Sequence, residues 1–339
     1  MQRMIFAFVA SAAIVMLLSP IFIPMLRRLK FGQVERAEGP HAHSAKEGTP
    51  TMGGIMFIIS ILISSAVFSI YDIALSFSIP AMLMMLAFGL VGFLDDFIGV
   101  KRKRNLGLRA YQKIIAQVLL SFSVAFYAYK SEFIGSVLYD PIFGEIEMGI
   151  WYIPFIMFVI IAIVNSANLT DGLDGLLSGV SLVYSIAMGI LFLYFAGVFN
   201  SSFANGPLFI ARSDGMLSMG VFAFAVAGGC IGFLKPNSYP AKVFMGDTGS
   251  MALGGAMSAL VIYSRSPFLF LLMGVCIVAS AVSDVLQVGS YKLRHGKRVF
   301  KMAPLHHHFE KLGYPETKIV AGYMIATAIT CMLALALFL

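Results

Sequence analysis

Five aspartates stand where long apolar runs of the sequence begin or end, and their side chains are the first candidates for chemistry. They are Asp95, Asp96, Asp171, Asp174 and Asp247. A carboxylate beside an apolar run is costly to bury unless it pairs with a cation or binds a metal ion. Glycines accompany three of the five, which lets a ligand approach the backbone closely. The pattern therefore predicts a ligand site built on carboxylates.

The densest of these segments is Asn168-Leu169-Thr170-Asp171-Gly172-Leu173-Asp174-Gly175, which lies between two long apolar runs. Asp171 and Asp174 are three residues apart, so they would share one face if the segment were helical. The Asn, Asp and Gly residues also favour turns, and an ordinary connector is the structural alternative.

Other polar residues beside apolar runs have simple structural alternatives too. Asp95 and Asp96 could merely face solvent, and Asp247 could cap the helix that it precedes. Lys113 could anchor its apolar segment at a membrane surface. The Gly, Pro and Thr residues of 46–54 predict a backbone-rich turn, although a helix start with a threonine cap is an equal interpretation.

Three consecutive histidines, His306-His307-His308, form the last polar motif. Three adjacent side chains cannot all point the same way on a helix. A closed zinc site is not predicted, because no cysteine or second histidine cluster stands nearby. The histidines fit better as hydrogen-bond donors to phosphate or sugar oxygens.

Composition identifies the elements that must position these residues. Of the 339 residues, 59% are hydrophobic and only 12% are charged, whereas a soluble domain typically has about 25% charged residues. The sequence therefore predicts an integral membrane protein. Its three cysteines all lie in apolar runs and imply no disulfide framework.

Ten apolar segments could cross a membrane, and together they predict one all-α polytopic membrane domain over 1–339. They are 4–26, 52–71, 77–94, 114–129, 149–164, 176–199, 216–234, 248–264, 267–290 and 319–339. The first is too long for a signal peptide and is predicted to be retained. The eighth is glycine-rich, which favours close helix packing. The ninth contains Asp284 and Gly289, which predict a kink or break near its end.

Basic residues predict the orientation of these segments. All lysines and arginines except Arg3, Lys130, Arg212 and Arg265 fall in one set of loops. The positive-inside rule makes that set cytoplasmic and places both termini outside. Five cytoplasmic loops then carry the aspartates and histidines and would form the active site, while 139–147 predicts a small extracytoplasmic hairpin. Most of these basic residues need no role in ligand binding, because setting the orientation in the membrane is sufficient to explain them.

The motifs together resemble those of the polyprenyl-phosphate sugar-1-phosphate transferases. The resemblance covers essentially the whole chain, and residues 48–54 and the histidine trio are similar to the phospho-N-acetylmuramoyl-pentapeptide transferase branch. The motifs that carry it are Asp95-Asp96, 168–175, Phe244-Met245-Gly246-Asp247-Thr248-Gly249-Ser250 and His306-His307-His308.

This resemblance implies an Mg²⁺-dependent reaction in which UDP-MurNAc-pentapeptide gives its phospho-sugar to undecaprenyl phosphate, forming lipid I and UMP. It implies peptidoglycan synthesis at the bacterial inner membrane, with a cytoplasmic active site and no nucleic-acid partner, and it allows a homodimer. The residues fit this chemistry independently. Two anionic substrates need charge neutralisation by metal and lysines, and Mg²⁺ prefers one or two carboxylates plus substrate phosphates. A membrane lipid acceptor needs a site at the membrane edge.

The resemblance also implies roles for individual residues. Asp247 resembles the magnesium ligand, while Asp95, with Asp96 beside it, resembles the residue that positions or deprotonates the lipid phosphate. Because a phosphate monoester has a second pKa of about 6, little deprotonation is needed, and direct attack by the lipid phosphate is favoured over a covalent aspartyl intermediate. His306 also belongs to the catalytic set. The predicted substrate-binding residues are Lys46, Thr51, Lys113, Asn168, Asp171, Gly172, Leu173, Asp174, Asn237, Phe244, His307 and His308, with Gly172, Leu173, Asp174 and a stacking Phe244 around the uridine.

Two alternatives remain open from the sequence. A related transferase of GlcNAc-1-phosphate would share the aspartate motifs but is not expected to carry the histidine trio. An ion-coupled transporter would place its acidic residues near the membrane midplane on broken helices. Here the acidic residues lie at segment ends, and Asp284 alone lies deeper.

Overall fold

The structure, a computed structural model, describes residues 1–29, 48–69, 76–102, 107–201 and 207–338, without the side chains of 199–201 and 207–210. Helices make up most of these ranges. They are α1 (Gln2–Arg28), α2 (Gly54–Ser69), α3 (Ser78–Arg102), α4 (Ala110–Lys130), α5 (Tyr152–Thr170), α6 (Leu176–Ser201), α7 (Pro207–Asn237), α8 (Gly246–Ser264), α9 (Leu269–Met273), α10 (Val275–Leu293), α11 (Leu305–Lys311) and α12 (Glu316–Phe338).

Each of the ten predicted apolar segments coincides with helical structure, which confirms an all-α, multi-pass membrane protein. Within the described ranges, six helical segments are long and apolar enough to cross a membrane. They are Gln2–Arg28, Ser78–Arg102, Gly149–Thr170, Leu176–Val198, Ala211–Asn237 and Glu316–Phe338. The count of ten spans and the orientation of the termini remain predictions.

The ninth segment is broken near its start, so the predicted break near its end is wrong, while a kink there stays a prediction. The break is at Gly274, between α9 and α10. There the backbone lies against Phe270, so a Cβ at Gly274 would approach the Phe270 ring to 2.7 Å. Gly289 instead lies inside α10, which runs without interruption to Leu293. A single interior glycine costs only about 1 kcal/mol relative to alanine, too little to end the helix.

Helix α8 lies at the centre of the packing, with α3 and α5 as its main neighbours. Every residue from Thr248 to Ser264 is buried. Glycines allow the close contacts that the sequence predicts for this segment. The backbone of Gly92 lies against that of Asp247, Gly54 lies against Gly249, and Gly254 lies against Val164. Small residues let helix backbones approach closely where lipid supplies no hydrophobic driving force.

The predicted hairpin is confirmed. Strand β1 (Val137–Asp140) pairs antiparallel with β2 (Gly144–Glu147). Oδ1 of Asp140 accepts hydrogen bonds from the backbone nitrogens of Ile142 and Phe143 at 2.8 and 2.9 Å. This is the local side-chain-to-backbone bonding that favours aspartate in turns. Arg265, at the end of α8, holds the hairpin by donating from Nε to the carbonyl of Val137 at 2.9 Å.

Candidate active site

Four helix ends meet around the carboxylate of Asp247. Asp247 lies in the first turn of α8, and Lys113 lies in the first turn of α4. Asn168 lies in the last turn of α5, and Asp95 and Asp96 lie in the last two turns of α3. Residues that are far apart in the sequence are therefore brought together because α8 packs between α3 and α5, with α4 against α5.

Asp247 is held by two nitrogen donors, one on each carboxylate oxygen. Lys113 Nζ lies 2.5 Å from Oδ2, and the amide nitrogen of Asn168 donates to Oδ1 at 2.8 Å. The Asn168 amide also donates to Oγ of Ser250 at 2.9 Å. Lys113 Nζ lies a further 3.3 Å from Oδ2 of Asp95. The ammonium therefore stands between two carboxylates, in a position that favours a cation.

Asp96 bonds to the start of α8 rather than to Lys113. Its Oδ1 accepts from the backbone nitrogen of Asp247 at 3.1 Å. Its Oδ2 accepts from the backbone nitrogen and the hydroxyl of Thr248 at 2.9 and 2.6 Å. The first backbone N–H groups of a helix have no partner within it. Asp96 therefore caps α8 from a neighbouring helix and fixes the backbone that carries Asp247.

Asp95 is held by the loop that follows α3. Its Oδ1 accepts a hydrogen bond from the backbone nitrogen of Leu108 at 2.9 Å. Gly107 lies so close to the Asp95 carbonyl that a Cβ there would collide with it. The second oxygen of Asp95 contacts Lys113. The carboxylate is thus oriented by the main chain on one side and by an ammonium on the other.

The segment after α5 is a turn and not a helix, so the turn alternative is the one observed, and Asp171 and Asp174 do not share a helical face. Helix α5 ends at Thr170, and Gly175 has a positive φ of 79°, a conformation that glycine adopts readily. Burial raises the pKa of the Asp171 carboxyl to about 8, and the negative charges of Asp247, Asp96 and Asp174 add to the effect. Asp171 therefore belongs electrostatically to the same acidic cluster.

Asp174 and Asn237 shape the loop that leads to Phe244 and Asp247. Oδ2 of the buried Asp174 accepts from the backbone nitrogen of Ala241 at 2.9 Å. The amide nitrogen of Asn237 donates to the carbonyl of Val243 at 3.0 Å. Both side chains are thus engaged in protein contacts. Leu173 is also buried, whereas Phe244 and Gly172 are partly exposed.

The segment 48–54 forms an extended contact with the start of α8. Phe244 donates from its backbone nitrogen to the carbonyl of Pro50 at 2.8 Å, and Gly53 donates back to the carbonyl of Phe244 at 2.9 Å. Thr51 is buried, and a Cβ at Gly246 would lie 2.7 Å from its hydroxyl oxygen. The structure thus places Thr51 beside Gly246, which also lies against the carboxylate of Asp96. The predicted contact residue Lys46 lies outside the described residues.

The three histidines of α11 point to different surroundings, as the sequence predicts. His306 is fully buried against Gly172, and within the described chain neither of its ring nitrogens has a hydrogen-bond partner. His307 Nδ1 lies 2.6 Å from Oε2 of Glu310, and a Cβ at Gly172 would lie 3.0 Å from its Nε2. His308 accepts a hydrogen bond from the backbone of Lys301 at 3.1 Å. Only His306 and His307 therefore contact the turn at Gly172.

Burial lowers the pKa of His306 to about 3, and the neighbouring His307 contributes in the same direction. His306 is therefore neutral at physiological pH, with one ring nitrogen as donor and the other as acceptor. Across the described residues, no group of three or more His, Cys, Asp or Glu side chains is arranged to hold a metal ion.

Several residues that contact this site were not predicted from the sequence. Thr248 and Ser250 lie inside the Asp247 motif, so their hydroxyls were visible as candidates. Glu310, next to His307, and Glu316, which accepts from the backbone nitrogen of Asp174 at 2.5 Å, follow no recognisable pattern. Their contributions depend on how α11 and α12 fold back onto the turn at 171–175.

Comparison with known proteins places the chain in a family. The sequence model of glycosyl transferase family 4 matches residues 78–265, and phospho-N-acetylmuramoyl-pentapeptide-transferase signature 1 matches residues 46–58. The chain is 49% identical over 324 residues to the phospho-N-acetylmuramoyl-pentapeptide-transferase of Clostridioides difficile (strain 630), covering 95% of this chain and 94% of that one.

Further relatives with the same name give the same result. The protein of Clostridium novyi (strain NT) is 44% identical over 335 residues, covering 98% of this chain and 96% of the relative. That of Thermoanaerobacter sp. (strain X514) is 43% identical over 335 residues, covering 98% of each chain. With such identity over nearly the full length, the chain belongs to the phospho-N-acetylmuramoyl-pentapeptide-transferase family.

Proposed function

We propose that this chain transfers phospho-MurNAc-pentapeptide from UDP-MurNAc-pentapeptide to undecaprenyl phosphate, giving lipid I and UMP for peptidoglycan synthesis. The observation that carries the proposal is the Asp247 cluster. Lys113 and Asn168 bind its two oxygens, Asp95 shares the lysine, and the segment within the family signature packs beside it. A membrane-edge cluster of this kind suits a reaction that joins a lipid phosphate to a nucleotide pyrophosphate.

The residues fit one Mg²⁺ ion held mainly by Asp247. Among the described residues, the cluster combines several carboxylates with the ammonium of Lys113, which already stands between Asp247 and Asp95. Burial is the main cause of the raised pKa of Asp171, and the negative charges of Asp247, Asp96 and Asp174 raise it further. Mg²⁺ is usually held by one or two carboxylates together with substrate phosphates, so the absence of a larger ligand set among the described residues is compatible with it. When bound, the ion would neutralise phosphate charge.

The acceptor side of the reaction is assigned to Asp95 and Lys113. A phosphate monoester with a second pKa of about 6 is already a good nucleophile near neutral pH. The main task is therefore to hold two anions together in line, which positioning and positive charge accomplish. Lys113 offsets the repulsion between the phosphates, and Asp95 orients the acceptor and takes its remaining proton if one is present. The lipid phosphate then attacks the β-phosphorus directly and UMP leaves.

The donor side is assigned to the turn at 171–175 and the elements packed on it. Gly172, Leu173 and Phe244 line the uridine site, while Asp174 and Asn237 hold the loop that carries Phe244. His306 and His307 meet the same turn and contact the sugar or the phosphates. The remaining predicted contacts, Lys46, Thr51 and His308, complete the substrate-binding set.

The reaction fits a multi-pass protein of the bacterial inner membrane. With ten spans and both termini outside, the aspartate and histidine loops face the cytoplasm. Each chain carries its own full set of proposed site residues, so a homodimer would contain two independent sites.

The test is an assay of the purified protein with undecaprenyl phosphate, Mg²⁺, and either UDP-MurNAc-pentapeptide or UDP-GlcNAc as donor. We expect lipid I and UMP from the first donor and no lipid-linked product from the second. Turnover with UDP-GlcNAc alone would identify the chain as a GlcNAc-1-phosphate transferase. A protein that turns over neither donor but moves an ion across vesicles would be a transporter.

A further inference from the structure

A buried pair of side-chain amides joins α4 to α5 near the Asp247 cluster. Gln117 on α4 is 1% exposed, and Asn165 on α5 is partly buried. The amide nitrogen of Asn165 donates to Oε1 of Gln117 at 2.7 Å and to the carbonyl of Ile161 at 2.8 Å. The amide nitrogen of Gln117 donates to Oδ1 of Asn165 at 3.4 Å. The two amides thus bind each other reciprocally between two helices.

The spacing of this pair relates it to the donors of Asp247. Gln117 follows Lys113 by four residues, and Asn165 precedes Asn168 by three. Residues at these separations lie on one face of a helix, about one turn or 5.4 Å apart. The amide pair therefore lies one turn farther from the helix ends than the two side chains that bind Asp247. A rotation or shift of α4 against α5 would therefore change both the amide pair and the contacts of Lys113 and Asn168 with Asp247.

Few residues of helix α4 are fully buried, although Leu120, Val124 and Tyr129 also pack, partly buried, against the core. Its buried residues are Gln117, Ser121, Ala125 and Ala128, so every buried side chain except that of Gln117 is small. Small side chains let helices approach but leave little to interlock. Paired amides are directional, and an unpaired amide in apolar surroundings is costly. The pair therefore adds a directional contact that favours one rotation and one height of α4 on α5.

We propose that Gln117 and Asn165 are positioning residues for the transferase reaction. They hold α4 and α5 so that Lys113 and Asn168 reach opposite oxygens of Asp247, and they do not themselves contact the reacting atoms. The kinetic part of this inference rests on the proposed function, whereas the structural part does not.

The kinetic experiment compares four changes at the pair. They are Gln117→Met, Asn165→Leu, both together, and the exchange Gln117→Asn with Asn165→Gln. Ser121→Ala is the matched control, because Ser121 is buried one turn farther along α4 and its hydroxyl has no hydrogen-bond partner in the described chain.

We expect each single change to lower kcat about 10- to 100-fold, the effect of misplacing catalytic groups by around 1 Å. KM for UDP-MurNAc-pentapeptide should change far less, since its uridine and sugar contacts are assigned to the turn at 171–175, Phe244 and α11. The exchange variant should recover most of kcat because it restores an amide pair of the same total length. Ser121→Ala should keep the wild-type kcat.

The double apolar variant separates positioning from the simple cost of an unpaired amide. Removing both polar partners leaves no unsatisfied group and can be nearly neutral for folding. Positioning requires that this variant stay as slow as the single ones although it folds. A double variant with wild-type kcat, or single variants within twofold of wild type, would overturn the proposal.

A distance measurement tests the same pair without any turnover. Nitroxide labels at Tyr111→Cys on α4 and Phe158→Cys on α5 occupy exposed positions, while the three native cysteines are buried. Gln117→Met should shift or broaden the distance distribution, and the exchange variant should restore it. If the distance distribution changes in Gln117→Met and is restored in the exchange variant, but the wild-type protein shows no transferase turnover, the proposed function is wrong and the positioning role stands. An unchanged distribution would overturn the positioning role.

Discussion

The carboxylate of Asp96 accepts hydrogen bonds from both the backbone nitrogen and the hydroxyl of Thr248, at 2.9 and 2.6 Å. Thr248 directly follows Asp247, so a residue of α3 fixes the first turn of α8. The two adjacent aspartates of α3 consequently have different surroundings. Asp95 shares Lys113 with Asp247, whereas Asp96 is engaged with the helix backbone.

Asp96→Asn should destabilise the fold as well as lower activity. The amide nitrogen would place N–H donors against the donors of Asp247 or Thr248, and leaving those donors unsatisfied at this partly buried site costs about 1–3 kcal/mol. Thermal unfolding and turnover in detergent measure the two effects. Thr248→Val removes only the hydroxyl bond and should have a smaller effect on both. Full stability of Asp96→Asn together with lost turnover would instead favour direct contact of Asp96 with substrate.

Asp247→Asn should reduce turnover by at least about a thousandfold, because the change removes a negative charge that binds Lys113 and would bind Mg²⁺. The protein should still fold, since asparagine can accept from Asn168. Ser250→Ala, which removes only the second acceptor of Asn168, is the control and should retain most activity. Near wild-type turnover of Asp247→Asn at saturating Mg²⁺ would leave Asp247 with only a structural role, as the partner of Lys113 and Asn168.

Enzyme freed of lipid phosphate should not exchange labelled UMP into UDP-MurNAc-pentapeptide. In direct attack UMP cannot leave before the acceptor arrives, whereas a covalent aspartyl intermediate would release it. The measurement is label incorporation after verified removal of lipid. Rapid exchange that is abolished by Asp95→Asn would show that Asp95 is a nucleophile.

His306 should make the fold less stable as the pH falls. Because burial lowers its folded-state pKa to about 3, the unfolded chain takes up a proton below about pH 6.5 and the folded chain does not. Lowering the pH from about 7 to about 5 should therefore cost about 2 kcal/mol through this residue. Thermal unfolding of the wild type and of His306→Asn at both pH values measures the difference. Equal pH dependence of the two proteins would contradict the prediction.

Cysteine labelling should report the predicted orientation. Tyr239 lies in the loop before α8 and Phe143 lies at the tip of the hairpin, and both side chains are exposed. In intact cells a membrane-impermeant maleimide should label Phe143→Cys and leave Tyr239→Cys or His307→Cys unlabelled until the membrane is opened. The opposite pattern would invert the topology.

The helices were largely predictable because apolar runs in this chain are long and are separated by polar turns. The break at Gly274 was not, since the segment contains glycines at both 274 and 289 and only the structure shows which of them interrupts the helix. The turn at 171–175 was predicted only as an alternative, because the same residues favour a turn but also allow a helix. The positive φ of Gly175 shows that the chain forms the turn.

The site was predictable as a set of residues but not as an arrangement. The motifs identified Asp95, Asp96 and Asp247, yet only packing shows that Lys113 binds Asp247 and that Asp96 caps α8. The family resemblance predicted that Asp174 and Asn237 contact the substrate, and the structure shows both side chains holding a loop. Gln117 and Asn165 gave no signal, because a single amide in an apolar run has no recognisable pattern.

The contact between the backbones of Gly92 and Asp247 has a consequence for inhibition. The position of Asp247 is set by a contact between two backbones. Substitution of a nearby apolar side chain therefore cannot change the surface at this point. Any larger residue at Gly92 would push α3 away from α8 and damage the enzyme itself. An inhibitor whose affinity comes mainly from this part of the site would therefore leave few routes to resistance, and resistant variants should arise where side chains contact it.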